Sequence, residues 1–206
     1  MVNTEFSENE MEQKILEAAK KVFILKGMEG ARMQEIADEA GINKSLLHYY
    51  FRSKEKLFDK IFQHTISIIF PQISEIFSGE MSLFETIRIF TKKYIQFLSE
   101  NPFLPLFILH EIQHNPTRVK DIIKTISSNG KLMFAKVEEA KQKNLIKNDI
   151  QAVDILINVI SLCIFPIASS PILKLTFFQS DNTKFAEFIE KRKTDVAEFV
   201  INAIKI

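Results

Sequence analysis

Apolar residues recur along most of the chain at intervals of three and four, the spacing of one face of an α-helix, and no convincing strand pair interrupts them. Met11, Ile15, Ala18, Ala19, Val22 and Phe23 form the first such face. Ser7 and Glu10 make a capping box ahead of it, Phe6 is placed to staple onto Met11, and Gly27 stands where a left-handed C-terminal residue belongs. A second helix is predicted over Met33 to Ala40, stopped by Gly41. A third covers Lys44 to Tyr50, capped by Asn43 with Ile42 and Leu47 as its staple. Ser53 caps a fourth, which runs to Phe77 and ends at Ser78-Gly79. Longer helices are expected over Ser82–Ser99, Phe103–His114, Pro116–Lys143, Asp149–Phe165 and Thr183–Ile204, several of them separated by the Asn101-Pro102 and Asn115-Pro116 pairs. The fold class is therefore all-α: three short helices, then a larger helical bundle. The domain boundary falls near residues 52–60, with helix four running through it, giving domains at 1–53 and 54–206.

Composition agrees with that pattern. The 206 residues contain only five Gly and six Pro, too few for a turn-rich β protein, and 46% hydrophobic with 26% charged residues is the profile of a folded domain. A single cysteine, Cys163, leaves no internal disulfide, suits a reducing compartment, and in its apolar run reads as an inert core thiol. The polar, acidic amino terminus is not a secretory signal. Ile155 to Leu173 carries no charge over 19 residues, nearly a bilayer's thickness, but it holds Asn158, three serines and two prolines without flanking basic clusters. It is expected to be a buried or interface helix in a cytoplasmic protein that does not engage a membrane.

The sharpest motif lies in Met33–Phe51, MQEIADEAGINKSLLHYYF. A helix-turn-helix needs a small residue where its helices cross, a turn residue able to take positive φ, and apolar anchors on both helices. Ala37, Gly41 and the set Ile36, Ala40, Ile42, Leu47 and Tyr50 supply these at mutually consistent spacing. With Leu47 turned inward, a step of 100° per residue points Ser45 and Tyr49 outward, flanked by Leu46 and His48. Lys44 lies at the end of the helix that enters the major groove in this motif. Lys44 and Ser45, with His48 as the weaker third, are the expected base readers. Net charge is only +1, but Lys44, Arg52, Lys54, Lys56 and Lys60 outnumber Glu55 and Asp59 within residues 41–60, whereas residues 1–40 carry an acidic surplus.

The string Gly41–Phe58, GINKSLLHYYFRSKEKLF, resembles the signature of TetR/AcrR-type transcriptional regulators, in which an aromatic run ends the recognition helix and F-x-S/N-K-E-x-L opens the next. The resemblance covers residues 8–62 at the level of motif and the remainder only in helix count and length. It implies a non-enzymatic, homodimeric regulator, most simply a repressor, that needs no cofactor and is released from double-stranded operator DNA by a small apolar or amphipathic ligand. It also implies phosphate contacts from Tyr49 and Tyr50, joined by Lys54 and Arg32. Where the family usually has Thr or Ser to cap helix two, this chain has Ala31 and Arg32. Helices that enclose the family's ligand cavity carry Phe62, Ile66, Phe70, Phe90, Tyr94 and Phe97 here, followed by Phe103, Phe107, His110 and Phe134. The family's four-helix dimer interface maps onto Ile155, Val159 and Leu162, and onto Phe185, Phe188, Ile189, Val196, Phe199 and Val200.

One motif competes. His110-Glu111-Ile112-Gln113-His114 matches H-E-x-x-H, in which two histidines one turn apart bind zinc and the glutamate activates water. A metal-sensing regulator on the same scaffold, or a zinc metallohydrolase, are the alternatives it raises, although it ends at Asn115-Pro116 and has no well-placed third ligand.

Overall fold

The computed structural model describes residues 8–114 and 119–206, and these form ten α-helices with one isolated bridge, Ile146 to Lys205. Backbone packing divides the chain into two compact units, Met1–Ile68 and Ile69–Ile206.

The first unit holds α1 (Glu8–Gly30), α2 (Met33–Glu39), α3 (Lys44–Tyr50) and the opening of α4 (Lys54–Ser78). Ile15, Ala18, Ala19, Val22 and Phe23 are buried on one face of α1, as their spacing predicts. Phe23 meets Phe58 edge to face at 5.0 Å. α1 is long rather than short. Gly27 takes φ 68° and ψ 174°, a kink rather than a left-handed cap, and the helix resumes to Gly30. The capping box at Ser7 and the staple from Phe6 fall outside the described residues, as does the expected start of helix seven at Pro116.

The second unit contains α5 (Leu83–Glu100), α6 (Leu104–His114), α7 (Lys120–Gln142), α8 (Ala152–Ala168), α9 (Ser170–Phe177) and α10 (Asn182–Ile204), preceded by the end of α4. α5 and α10 pack most extensively on each other, and α8 covers both. Phe77 and Phe90 meet at 5.2 Å, and Phe90 stacks on Tyr94 at 5.1 Å. Lys136 Nζ donates to the Gly79 and Met81 carbonyls at 2.7 and 2.6 Å, tying the α4–α5 turn to α7.

α8 passes through Pro166 instead of stopping at Phe165. Proline has no N–H, so the Leu162 carbonyl loses its helical donor. Arg192 Nη2, from α10, donates to that carbonyl at 2.7 Å and replaces the missing bond. The chain bends instead at Ser169, where α9 turns off at 71° to α8. No single described helix is long and apolar enough to cross a membrane, and only this bent pair passes by length and composition.

Candidate nucleic-acid interface

α2 and α3 are joined by a tight left-handed turn. Gly41 takes φ 64°; its N–H donates to the Asp38 carbonyl and that of Ile42 to the Ala37 carbonyl, both at 3.0 Å. These paired bonds are a Schellman motif, with Gly41 as the left-handed residue just past the helix. Ala37 is fully buried at the crossing, and Leu47 and Ile36 are fully buried anchors. Asn43 Oδ1 accepts from the Leu46 N–H at 2.8 Å, so the predicted cap of α3 is formed. Ser53 Oγ likewise accepts from the Lys56 N–H at 3.3 Å and starts α4.

With Leu47 inward, Lys44, Ser45, His48 and Tyr49 all reach solvent. Tyr49 is 73% exposed and rests edge-on against the half-buried Tyr50 at 5.4 Å. Lys54, half-buried, donates to the Glu29 carbonyl at the end of α1 at 3.3 Å, which uses one of its three N–H groups. Arg32 is exposed and occupies the N-cap of α2, but a guanidinium has no acceptor to offer the helix. The capping is one-sided: Glu35 Oε2 accepts from the Arg32 N–H at 3.2 Å. Lys26, 2.8 Å away, and then the Arg32 N–H hold the Glu35 carboxyl below its ordinary value. Sequence reasoning passed over Glu35, although its place three residues after the cap was the available signal. Lys21–Glu39 at 3.0 Å adds a second exposed tie between α1 and α2.

Residues 15–61 match the family described as bacterial regulatory proteins, tetR family. The HTH-type transcriptional repressor NicS of Pseudomonas putida is 30% identical over 157 residues, 73% of each protein. The probable HTH-type transcriptional regulator YttP of Bacillus subtilis is 26% identical over 143 residues, 63% of this chain and 64% of YttP. Among solved structures, HlyIIR, a hemolysin II transcriptional regulator, superimposes with a TM-score of 0.63 at 23% identity, covering 97% of this chain and 99% of that one. The transcriptional regulator FadR from Bacillus subtilis in complex with stearoyl-CoA gives 0.63 at 15% identity, covering 93% and 98%. These two show the shared fold. The chain belongs to the TetR family.

Other positions expected from the TetR-type architecture are distributed less simply. Phe62 and Ile66 are buried in the first unit, whereas the remaining ligand candidates lie in the second. There Phe90 and Phe107 are buried, Phe70, Tyr94, Phe97 and Phe103 are half-buried, and Phe134 is 43% exposed. Burial, reinforced by nearby Cys163, pushes the Tyr94 hydroxyl pKa up. An apolar void of about 10 Å³, room for roughly one water-sized molecule, is lined by Phe77, Thr86, Ile87, Phe90, Met133, Leu156 and Val159. Phe90 is its one member from the expected ligand set. Thr86 carries a buried hydroxyl oxygen without a hydrogen-bond partner.

Burial divides the expected dimer set. Ile155, Val159, Phe185, Ile189, Val196 and Val200 are buried inside the core of the second unit. Leu162 and Phe188 are half-buried, and Phe199 is 67% exposed.

In the H-E-x-x-H segment His110 is 61% exposed while the Glu111 side chain is buried, 3.4 Å from His110 Nδ1. The side chain of His114 lies outside the described residues. Among the described residues no three His, Cys, Asp or Glu side chains come together as a metal site.

Proposed function

We propose that this chain is a homodimeric repressor that binds a two-fold symmetric operator through α3 and is released by a small apolar or amphipathic molecule. The exposed row Lys44, Ser45, His48 and Tyr49 over a buried Leu47 carries the reading. All four are exposed, and Tyr49 touches only the neighbouring Tyr50 ring among the described aromatic contacts. On this reading residues 1–53 recognise DNA and residues 54–206 sense the ligand and dimerise. Lys44, Ser45 and His48 contact base edges, while Arg32, Tyr49, Tyr50 and Lys54 hold phosphates.

α4 belongs to both units. A ligand that tilts it changes the separation of the two recognition helices in the dimer and lowers operator affinity, and by linkage the operator weakens the ligand by the same factor. The void beside Thr86 is far below the roughly 300–1,000 Å³ of a drug-sized pocket, so a ligand entering there must displace side chains. FadR with stearoyl-CoA is an instance of this fold beside an amphipathic molecule.

A gel-shift titration against the DNA upstream of the chain's own gene tests the proposal. A retarded complex at nanomolar to sub-micromolar protein, competed by unlabelled upstream DNA but not by scrambled DNA, is expected. Equal competition by both contradicts it.

A further inference from the structure

Thr86 is the only residue with a polar side chain among the seven described residues that line the void, and it is fully buried. Its hydroxyl oxygen has no hydrogen-bond partner. A helical threonine can give its hydroxyl to the carbonyl one turn back, here that of Ser82. That carbonyl accepts the Thr86 N–H at 2.9 Å, and the hydroxyl does not join it. Valine has nearly the same shape and buries no polar group, so the folded chain alone does not recover the cost of this hydroxyl.

The wall of the void is apolar, so Thr86 presents its methyl there. Rotation about χ1 to the other rotamer common for helical threonine brings the hydroxyl round, and no hydrogen bond holds it where it is. A lone water would not satisfy it well. Buried water ordinarily makes about three hydrogen bonds, and the lining side chains offer one polar group. The group that fits carries a hydrogen-bond acceptor on an apolar body of its own. No Lys, Arg or His is among the seven, so a carboxylate or phosphate would be buried without a counter-charge, which costs far more than an uncharged oxygen. Room can be made. Met133 is unbranched and adapts its shape, and Phe77, which meets Phe90 at 5.2 Å, lies in the last turn of α4.

We propose that the cavity beside Thr86 takes an uncharged carbonyl compound with an aliphatic body (a ketone, aldehyde or ester), whose oxygen accepts from the Thr86 hydroxyl. The proposal rests on the ligand-release reading; it names the ligand's chemical class and the residue that selects it. Entry pushes Phe77 aside, and so acts on the helix that both units share.

Titrating the full-length chain with carbonyl-labelled 2-octanone, followed by carbon NMR, tests this. Saturable binding is expected, with the bound carbonyl resonance moved downfield as in a hydrogen-bonded ketone. Octanoate, of equal length, should bind at least tenfold more weakly. Thr86→Val should weaken 2-octanone roughly three- to tenfold and abolish the downfield shift, whereas Thr86→Ser, which keeps the hydroxyl, should preserve it. Thr91 supplies the control. Its hydroxyl is equally buried and unpaired but does not line the void, so Thr91→Val should bind 2-octanone as the unaltered chain does. In urea, Thr86→Val should unfold at the same midpoint or a higher one. A lower midpoint, no saturable binding of 2-octanone, octanoate binding as tightly, or undiminished binding by Thr86→Val would each overturn the proposal. Operator anisotropy on the same samples separates it from ligand release. If binding depends on Thr86 but leaves operator affinity unchanged, the site stands and the release reading fails. If 2-octanone frees the operator equally from the unaltered chain and Thr86→Val, release stands and this site fails.

Discussion

Replacing Gly41 by alanine tests the turn that aims α3, and its cost can be worked out from two observations. The first is φ of 64° at that residue, where an L side chain's Cβ crowds the backbone at a cost of about 1–2 kcal/mol. The second is space: the nearest atom to a Cβ built on Gly41 is Lys14 Nζ at 3.9 Å, an ordinary contact. The penalty is therefore conformational, with almost no steric addition, and Gly41→Ala should destabilise the protein by about 1–2 kcal/mol. For a chain of this size that is a fall in Tm of about 2–8 °C. Gly41→Asn should cost less, because asparagine tolerates the left-handed region. Urea unfolding followed by circular dichroism measures both. Alanine as stable as glycine would refute the left-handed turn, and a loss above about 4 kcal/mol would mean crowding that the structure does not contain.

Asn144 is the left-handed residue after α7, with φ 53° and the same pair of backbone bonds, from its own N–H to Lys141 and from Leu145 to Ala140. Asn144→Gly is expected to stabilise by about 0.5 kcal/mol in the same urea assay. Burial pushes the Cys163 thiol up to about 12, against a smaller opposing effect of Arg192. Roughly one part in 10⁴ is then thiolate at pH 8, and a disulfide reagent should label the native protein at least about a hundredfold more slowly than the unfolded one. Arg88 Nε and Nη2 lie 2.6 and 3.2 Å from the Glu198 carboxylate and hold it below its ordinary 4.5. Its stabilisation is present above pH 4.5 and lost as pH falls through the lowered value. The stability difference between Glu198→Gln and the unaltered chain should therefore shrink toward zero in acid.

Local signals were the legible ones. Asn43, Gly41, Ala37 and Leu47 each act through neighbours a few residues away, so spacing alone places α3 and its outward row. Ser53 and Ser78-Gly79 bracket α4 for the same reason. The α8 terminus was not legible, because Pro166 ends a helix only when nothing replaces its missing N–H, and the replacement is Arg192, far away in sequence. Burial along α10 was only partly legible. Apolar spacing selects Phe185, Ile189, Val196 and Val200, which are buried, together with Phe188, half-buried, and Phe199, exposed, and it does not separate the two groups. The void beside Thr86 depends on the packing of α5 against α7 and α8, which no periodicity reports.

The claim that α3 reads DNA sequence is tested most directly by fluorescence anisotropy with Lys44→Ala and Lys54→Ala, each measured on the operator and on a scrambled duplex across a salt series. Lys44→Ala should lose about 1–3 kcal/mol on the operator and little on scrambled DNA. Lys54→Ala should weaken both nearly equally and reduce the salt slope by about one. Operator binding by Lys44→Ala at the strength of the unaltered chain would contradict the assignment of α3 as the reading helix.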